Sequence, residues 1–164
     1  MKTGFIASDQ AGEYVTERSV SATDILSMAK QLIQRKYQKG RVITSPQEAA
    51  EFLPFKLYEL EQETFWVMFL SNSHRVLAFE KMFVGTVNQS AVYPREVVKR
   101  SLQLNAAALI FAHNHPSGDG KPSQADIQIT KRLKGALDLI DIIVLDHFVV
   151  AGDTATSMAD LGYC

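Results

Sequence analysis

Ala106–Ala112 is a wholly apolar run of strand length, and it gives way at once to His113-Asn114-His115-Pro116-Ser117-Gly118-Asp119-Gly120-Lys121-Pro122. A run this short, apolar at every position, suits a central strand covered on both faces. The two prolines and two glycines that follow predict a rigid polar loop. Helical spacing then returns from Ser123 to about Leu139. A strand covered on both faces needs layers on both sides, and the rest of the 164 residues must supply them.

The remaining pattern meets that demand. Residues 1–20 mix Gly, Ser, Asp, Glu and Thr without an apolar period and read as a mobile or loosely docked arm. From Ser21 to Tyr37, Ile25, Leu26, Met28, Ala29, Leu32 and Ile33 share one helical face, and Gly40 ends the run. Ser45-Pro46-Gln47-Glu48 is a helix start in which Ser45 caps, Pro46 opens and Glu48 completes a capping box. That helix is expected to break or kink at Pro54 and to resume through Leu57 and Leu60. Phe65–Leu70 and Val76–Val84 read as a hairpin about the turn Ser71-Asn72-Ser73-His74, closed by Gly85. Pro94 opens a helix to about Asn105, and Ile142–Leu145 and Phe148–Val150 read as two closing strands. Helices alternating with strands, plus a local hairpin, predict an α/β chain with a mixed sheet, divided into an N-terminal arm and helix (1–44) and a main domain (45–164).

Composition excludes whole classes. With 46% hydrophobic and 21% charged residues the chain is globular rather than disordered. No apolar run reaches the ~20 residues of a membrane span. Met1-Lys2-Thr3-Gly4-Phe5-Ile6 has no long apolar segment of the secretory kind, so a cytoplasmic location is expected. The single cysteine, Cys164, forbids an intramolecular disulfide or a multi-cysteine zinc site. A net charge of −1 argues against nucleic-acid binding by bulk charge. The cluster Lys30, Arg35, Lys36, Lys39 and Arg41 has two readings: complement to a helix dipole, or a local nucleic-acid contact.

The chemistry concentrates where the apolar strand ends. In extended backbone, residues two apart point to the same side, so His113 and His115 can converge on one point. Asp126 follows in the first turn of the next helix. Two imidazole nitrogens and a carboxylate are a three-ligand set of the kind catalytic zinc uses, with a fourth position left for water. Zinc lowers the pKa of such a water to about 7. Each residue also has a plainer reading: Ser123-Gln124-Ala125-Asp126 is a capping-box pattern, and the histidines could simply bind the loop. His74 reads as a solvated turn residue and His147 as a buried structural histidine.

Taken together, His113-x-His115 followed by Ser123-x-x-Asp126 resembles the JAMM (MPN+) zinc-peptidase signature. The flanking text is closer still to the bacterial RadC family: His113-Asn114-His115-Pro116-Ser117-Gly118, Pro122-Ser123-Gln124-Ala125-Asp126, Tyr93-Pro94-Arg95-Glu96-Val97-Val98, Leu145-Asp146-His147 and Gly85-Thr86. The resemblance covers residues 45–164. It implies a JAB/MPN-like (cytidine-deaminase-like) α/β fold with a mixed sheet flanked by helices, here carrying an N-terminal helical extension. It implies one zinc per chain, held by His113, His115 and Asp126, and a role for Ser123 in holding the oxyanion or the water. It also implies an upstream glutamate as general base. Glu63, just before the strand Phe65–Leu70, is preferred; Glu80, inside the return strand, is the competitor, and Glu96 reads as part of a helix start. Longer RadC proteins carry a helix-hairpin-helix module that residues 1–44 do not resemble, so the chain looks like the short RadC-like forms associated with mobile elements and prophages.

The expected activity is hydrolysis of a peptide or isopeptide-like amide in a peptide or protein substrate. The alternative is an accessory module of DNA transactions that keeps the zinc site and touches nucleic acid weakly through Lys30, Arg35, Lys36, Arg95, Lys99 and Arg100.

Overall fold

The computed structural model describes residues 4–36, 38–57, 60–85 and 92–164, with the Lys36 side chain excepted. Tyr37 and Thr86, which entered the sequence reading, lie outside the described residues. The chain divides into two compact units, 1–36 and 37–164.

The first unit is more regular than an arm. Strands β1 (Phe5–Ala7) and β2 (Tyr14–Thr16) pair antiparallel, Phe5 opposite Thr16 and Ala7 opposite Tyr14. Each strand has three residues, too few for a period to show in the sequence. Helix α1 spans Ala22–Lys36. Ser21 caps it: its hydroxyl accepts from the Asp24 N–H, and its own N–H donates to the Asp24 carboxylate.

In the second unit, Ser45 caps α2 (Pro46–Ala50) by accepting from the Glu48 N–H. Only half of the expected capping box forms, because the Glu48 carboxylate takes the N–H and hydroxyl of Thr44 instead. The break comes at Glu51–Phe52, ahead of Pro54. Pro54 sits in the first turn of α3 (Leu53–Leu57), where a missing N–H costs the helix nothing. Leu60 falls beyond that helix rather than on it.

Strands β3 (Thr64–Leu70) and β4 (Val76–Val84) form the expected hairpin, with His74 left-handed in its turn at φ 53°. Helix α4 covers Pro94–Gln103. The central strand β5 runs from Ala108 to Asn114, so His113 and Asn114 belong to the sheet and not to the loop expected from sequence. Helix α5 spans Gln124–Asp138. The two expected closing strands are one, β6 (Ile143–Ala151), because Asp146 finds enough partners to stay inside the strand; β7 (Thr154–Ser157) follows.

The sheet order is β4-β3-β5-β6-β7, parallel only between β5 and β6 and antiparallel elsewhere. This is the mixed, helix-flanked α/β sheet that the sequence predicts. On one face Ile110, Ala112, Met68 and Phe148 pack with Leu53 and Leu57 of α3. On the other, Leu109, Phe111, Val67 and Phe69 pack with Val97 of α4 and Leu133 and Leu137 of α5. Phe69, Phe111 and Phe148 are almost wholly buried, each contributing about 1.5–3 kcal/mol of transfer free energy. The alternation along β5 places the site: His113 continues the row Leu109–Phe111 beneath α5, and Asn114 continues the row Ile110–Ala112 on the α3 side.

Candidate metal centre

Strand β5 delivers His113 already buried, opposite Phe65 of β3 and Val149 of β6. His115 lies just past the strand end, yet its N–H still donates to the Val150 carbonyl at 2.8 Å, which extends the parallel pairing. The loop then turns back through Gly118 at φ 80°, a left-handed backbone that glycine adopts without strain. That turn brings the Asp119 carbonyl to His115 Nδ1 at 2.7 Å. A carbonyl only accepts, so Nδ1 is the donor and the ring is held with Nε2 facing inwards.

The capping-box reading of Ser123 and Asp126 is correct, and it leaves Asp126 beside the two histidines. The Ser123 hydroxyl accepts from the Asp126 N–H at 3.1 Å, and the Ser123 N–H donates to Asp126 Oδ2 at 2.6 Å, a full capping box at the start of α5. The same carboxylate faces the histidines, with Oδ1 3.2 Å from His113 Nε2 and Oδ2 3.5 Å from His115 Nε2. The two Nε2 atoms are 2.9 Å apart. Glu63 completes the group: one ligand-type atom from each of Glu63, His113, His115 and Asp126 lies within 4.8 Å of the others.

Electrostatics tighten the cluster. Burial works to raise the Asp126 pKa, but its close contacts with His113 and His115 and the hydrogen bond from Ser123 outweigh it and hold the carboxyl well below the usual range. The hydrogen bond with Asp126 likewise pushes His115 upwards against its partial burial. The anionic carboxylate and the inward nitrogens can hold a cation between them. Two imidazoles and carboxylate oxygen are a donor set that suits zinc, and the outer nitrogen of His115 is already committed elsewhere, as ligand histidines usually are.

Glu80 lies elsewhere. Its carboxylate forms a two-pronged ion pair with Arg100 of α4, at 2.6 and 2.8 Å, which holds its pKa below the ordinary value. Glu96 pairs with Arg95 at 3.2 Å. A groove of about 380 Å³ adjoins the cluster, lined by Glu63, Phe65, His113 and Asp126 together with Tyr93, Ile129 and Arg132.

The sequence gives no part in the site to four neighbours of the cluster. Asn114, between the two histidines, faces the other way and binds the segment carrying Glu63: its Oδ1 accepts from Thr64, and its amide donates to the carbonyls of Leu60 and Gln62. Thr130 and His147 stand behind His113. His147 is the buried structural histidine expected, and burial pushes its pKa well below the ordinary value. Asp146, raised by burial, accepts from the N–H groups of His147 and Ala159 and from the Ser157 hydroxyl. Only strand alternation could have pointed to Asn114; the other partners are distant in sequence.

The model of the RadC-like JAB domain matches residues 43–163. The chain belongs to the RadC-like JAB domain family. Its relatives agree: it is 46% identical over 154 residues to a UPF0758 protein of Vibrio cholerae, covering 94% of this chain and 98% of that one. A second UPF0758 protein of the same organism is 50% identical over 139 residues, covering 85% and 87%. A longer one from Photobacterium profundum is 48% identical over 139 residues, 85% of this chain but 62% of its own length. This RadC-like JAB domain thus carries a group of Glu, His, His and Asp able to hold a metal ion. Among the described residues no helix is long and apolar enough to cross a membrane.

Proposed function

We propose that the chain is a zinc-dependent hydrolase of the JAMM type that cleaves a peptide or isopeptide-like amide bond. The observation that carries this reading is the convergence of Glu63 with His113, His115 and Asp126, three of which line a groove. His113, His115 and Asp126 would hold the ion, leaving a position open to solvent and substrate. Bound there, zinc supplies Lewis-acid polarisation of an amide carbonyl and a water that is nucleophilic near neutral pH.

The chain's own groups do the rest. Glu63 takes the proton of the attacking water and returns it to the departing amine nitrogen, as general base and then general acid. The Ser123 oxygen accepts from the Asp126 N–H, so its hydroxyl proton is available to donate to the developing oxyanion. Asn114 keeps the Glu63 segment against the strand end. The groove wall formed by Phe65, Tyr93 and Ile129 offers an apolar surface to substrate.

The alternative, a DNA-transaction module, has less support. Of its candidate contacts, Arg100 is engaged by Glu80 and Arg95 by Glu96, and the net charge is −1. A cytoplasmic setting suits a chain with one cysteine. The test is a proteomic cleavage screen comparing the zinc-loaded protein with Glu63→Gln. New peptide termini produced by the first and not by the second support the hydrolase; identical profiles overturn it.

A further inference from the structure

The proton on His113 is fixed from behind by three groups the chemistry does not otherwise use. The Asp126 backbone carbonyl, which can only accept, lies 2.6 Å from Thr130 Oγ1. The single hydroxyl proton of Thr130 therefore points at that carbonyl, since the alternative acceptor, Met158 Sδ, is a weak one at 3.8 Å. Thr130 Oγ1 also lies 2.6 Å from His147 Nδ1. With its proton already given away, the hydroxyl must accept, so the His147 proton sits on Nδ1. His147 is wholly buried, with the rings of Phe65 and Phe111 packed edgewise at 5.3 and 5.7 Å. Its Nε2 is then a lone pair, 2.8 Å from His113 Nδ1. A neutral His113 must then carry its proton on Nδ1, which leaves its Nε2 bare beside His115 Nε2 and Asp126 Oδ1.

We propose that Thr130 and His147 are positioning residues that hold His113 in the tautomer whose Nε2 lone pair faces the site. The relay starts at the backbone carbonyl of Asp126 and ends at its carboxylate, so one turn of α5 both supplies the carboxylate and sets the proton on the facing ring. Without the threonine lone pair, the His147 proton is no longer tied to Nδ1. It can move to Nε2, where His113 Nδ1 would have to accept it, and His113 would then present an N–H to the site instead of a lone pair. The tautomer follows from the hydrogen bonds alone; its use in metal binding rests on the zinc reading above.

The relay predicts two separable readouts. Side-chain nitrogen NMR of the wild type at mildly alkaline pH is expected to show Nδ1–H on both His113 and His147. Thr130→Val, which removes the hydroxyl at nearly constant shape, is expected to convert His113 to Nε2–H and to weaken zinc binding by about tenfold or more, while Thr130→Ser keeps both wild-type properties. Should Thr130→Val not fold, His147→Gln and His147→Leu make the same comparison, because only glutamine returns an acceptor to His113 Nδ1. Unchanged tautomer and unchanged zinc affinity in Thr130→Val, or equal affinity in the two His147 variants, overturn the proposal. A wild type with these tautomers that takes up no zinc upholds the relay and overturns the zinc reading.

Discussion

Asn114 Oδ1 accepts twice from Thr64, from its backbone N–H at 2.8 Å and its hydroxyl at 2.7 Å. The amide nitrogen of Asn114 donates to the carbonyls of Leu60 at 3.1 Å and Gln62 at 3.0 Å. One side chain thus ties the strand end that bears both histidines to the segment that bears Glu63. Asn114→Ala leaves these partners unmatched in a buried setting, and a loss of about 2–4 kcal/mol is expected in denaturant unfolding. Zinc uptake should persist, because the ligand side chains are untouched.

The three converging ligands predict one zinc per chain. Elemental analysis of the metal-loaded protein should give near-unit stoichiometry, falling sharply in His113→Ala. Full zinc occupancy in the double variant His113→Ala/His115→Ala would falsify the site. Chelation should also lower the thermal midpoint, since an ion that binds only the folded state stabilises it.

Glu63 and Glu80 should separate cleanly. Glu63→Gln is expected to keep zinc and fold while hydrolysis drops by about two orders of magnitude or more, the scale of a lost general acid–base. Glu80→Gln breaks a partly exposed ion pair with Arg100, so stability should change by about 1 kcal/mol or less, with zinc content and hydrolysis retained. The reverse pattern would move the base to Glu80.

Acid sensitivity should appear at Glu48. The Thr44 N–H is the largest cause that holds its pKa down, at about 2 against an ordinary 4.5, with Arg41 and the Thr44 hydroxyl adding to it. A carboxylate whose pKa is depressed by folding stabilises the fold above the unfolded value and loses that contribution as pH falls through the folded one. The contribution, at most about 3 kcal/mol, is thus present above about pH 4.5 and lost towards pH 2. Urea midpoints measured across that window should fall more steeply for the wild type than for Glu48→Gln.

Binding to DNA should be weak and collapse with salt, because the net charge is −1 and Arg95 and Arg100 are already paired. Fluorescence anisotropy against salt concentration checks this. A tight complex at near-physiological salt would favour the DNA-transaction reading.

What could be read from the chain alone was whatever is written in neighbouring residues. The apolar run Ala106–Ala112 announced a central strand, period-two alternation put His113 and His115 on one side, and Ser123 with Asp126 marked a helix start, since each of these is a local matter of sterics and hydrogen bonding. The short β1–β2 hairpin escaped because three-residue strands have no readable period. The strand β6 was read as two because Asp146 and His147 look like an interruption until their partners are known.

Tertiary structure decided the rest, because it depends on groups far apart in the chain. Which glutamate joins the histidines was settled by Arg100 of α4, which holds Glu80, and by Asn114, which holds the segment of Glu63. Which nitrogen of His113 is bare was settled by Thr130 and His147, brought behind it from α5 and β6. The sequence by itself determined the candidate ligands and the elements that carry them. Their orientation belongs to packing: a hydrogen bond between distant residues exists only once the sheet has brought its strands and helix together.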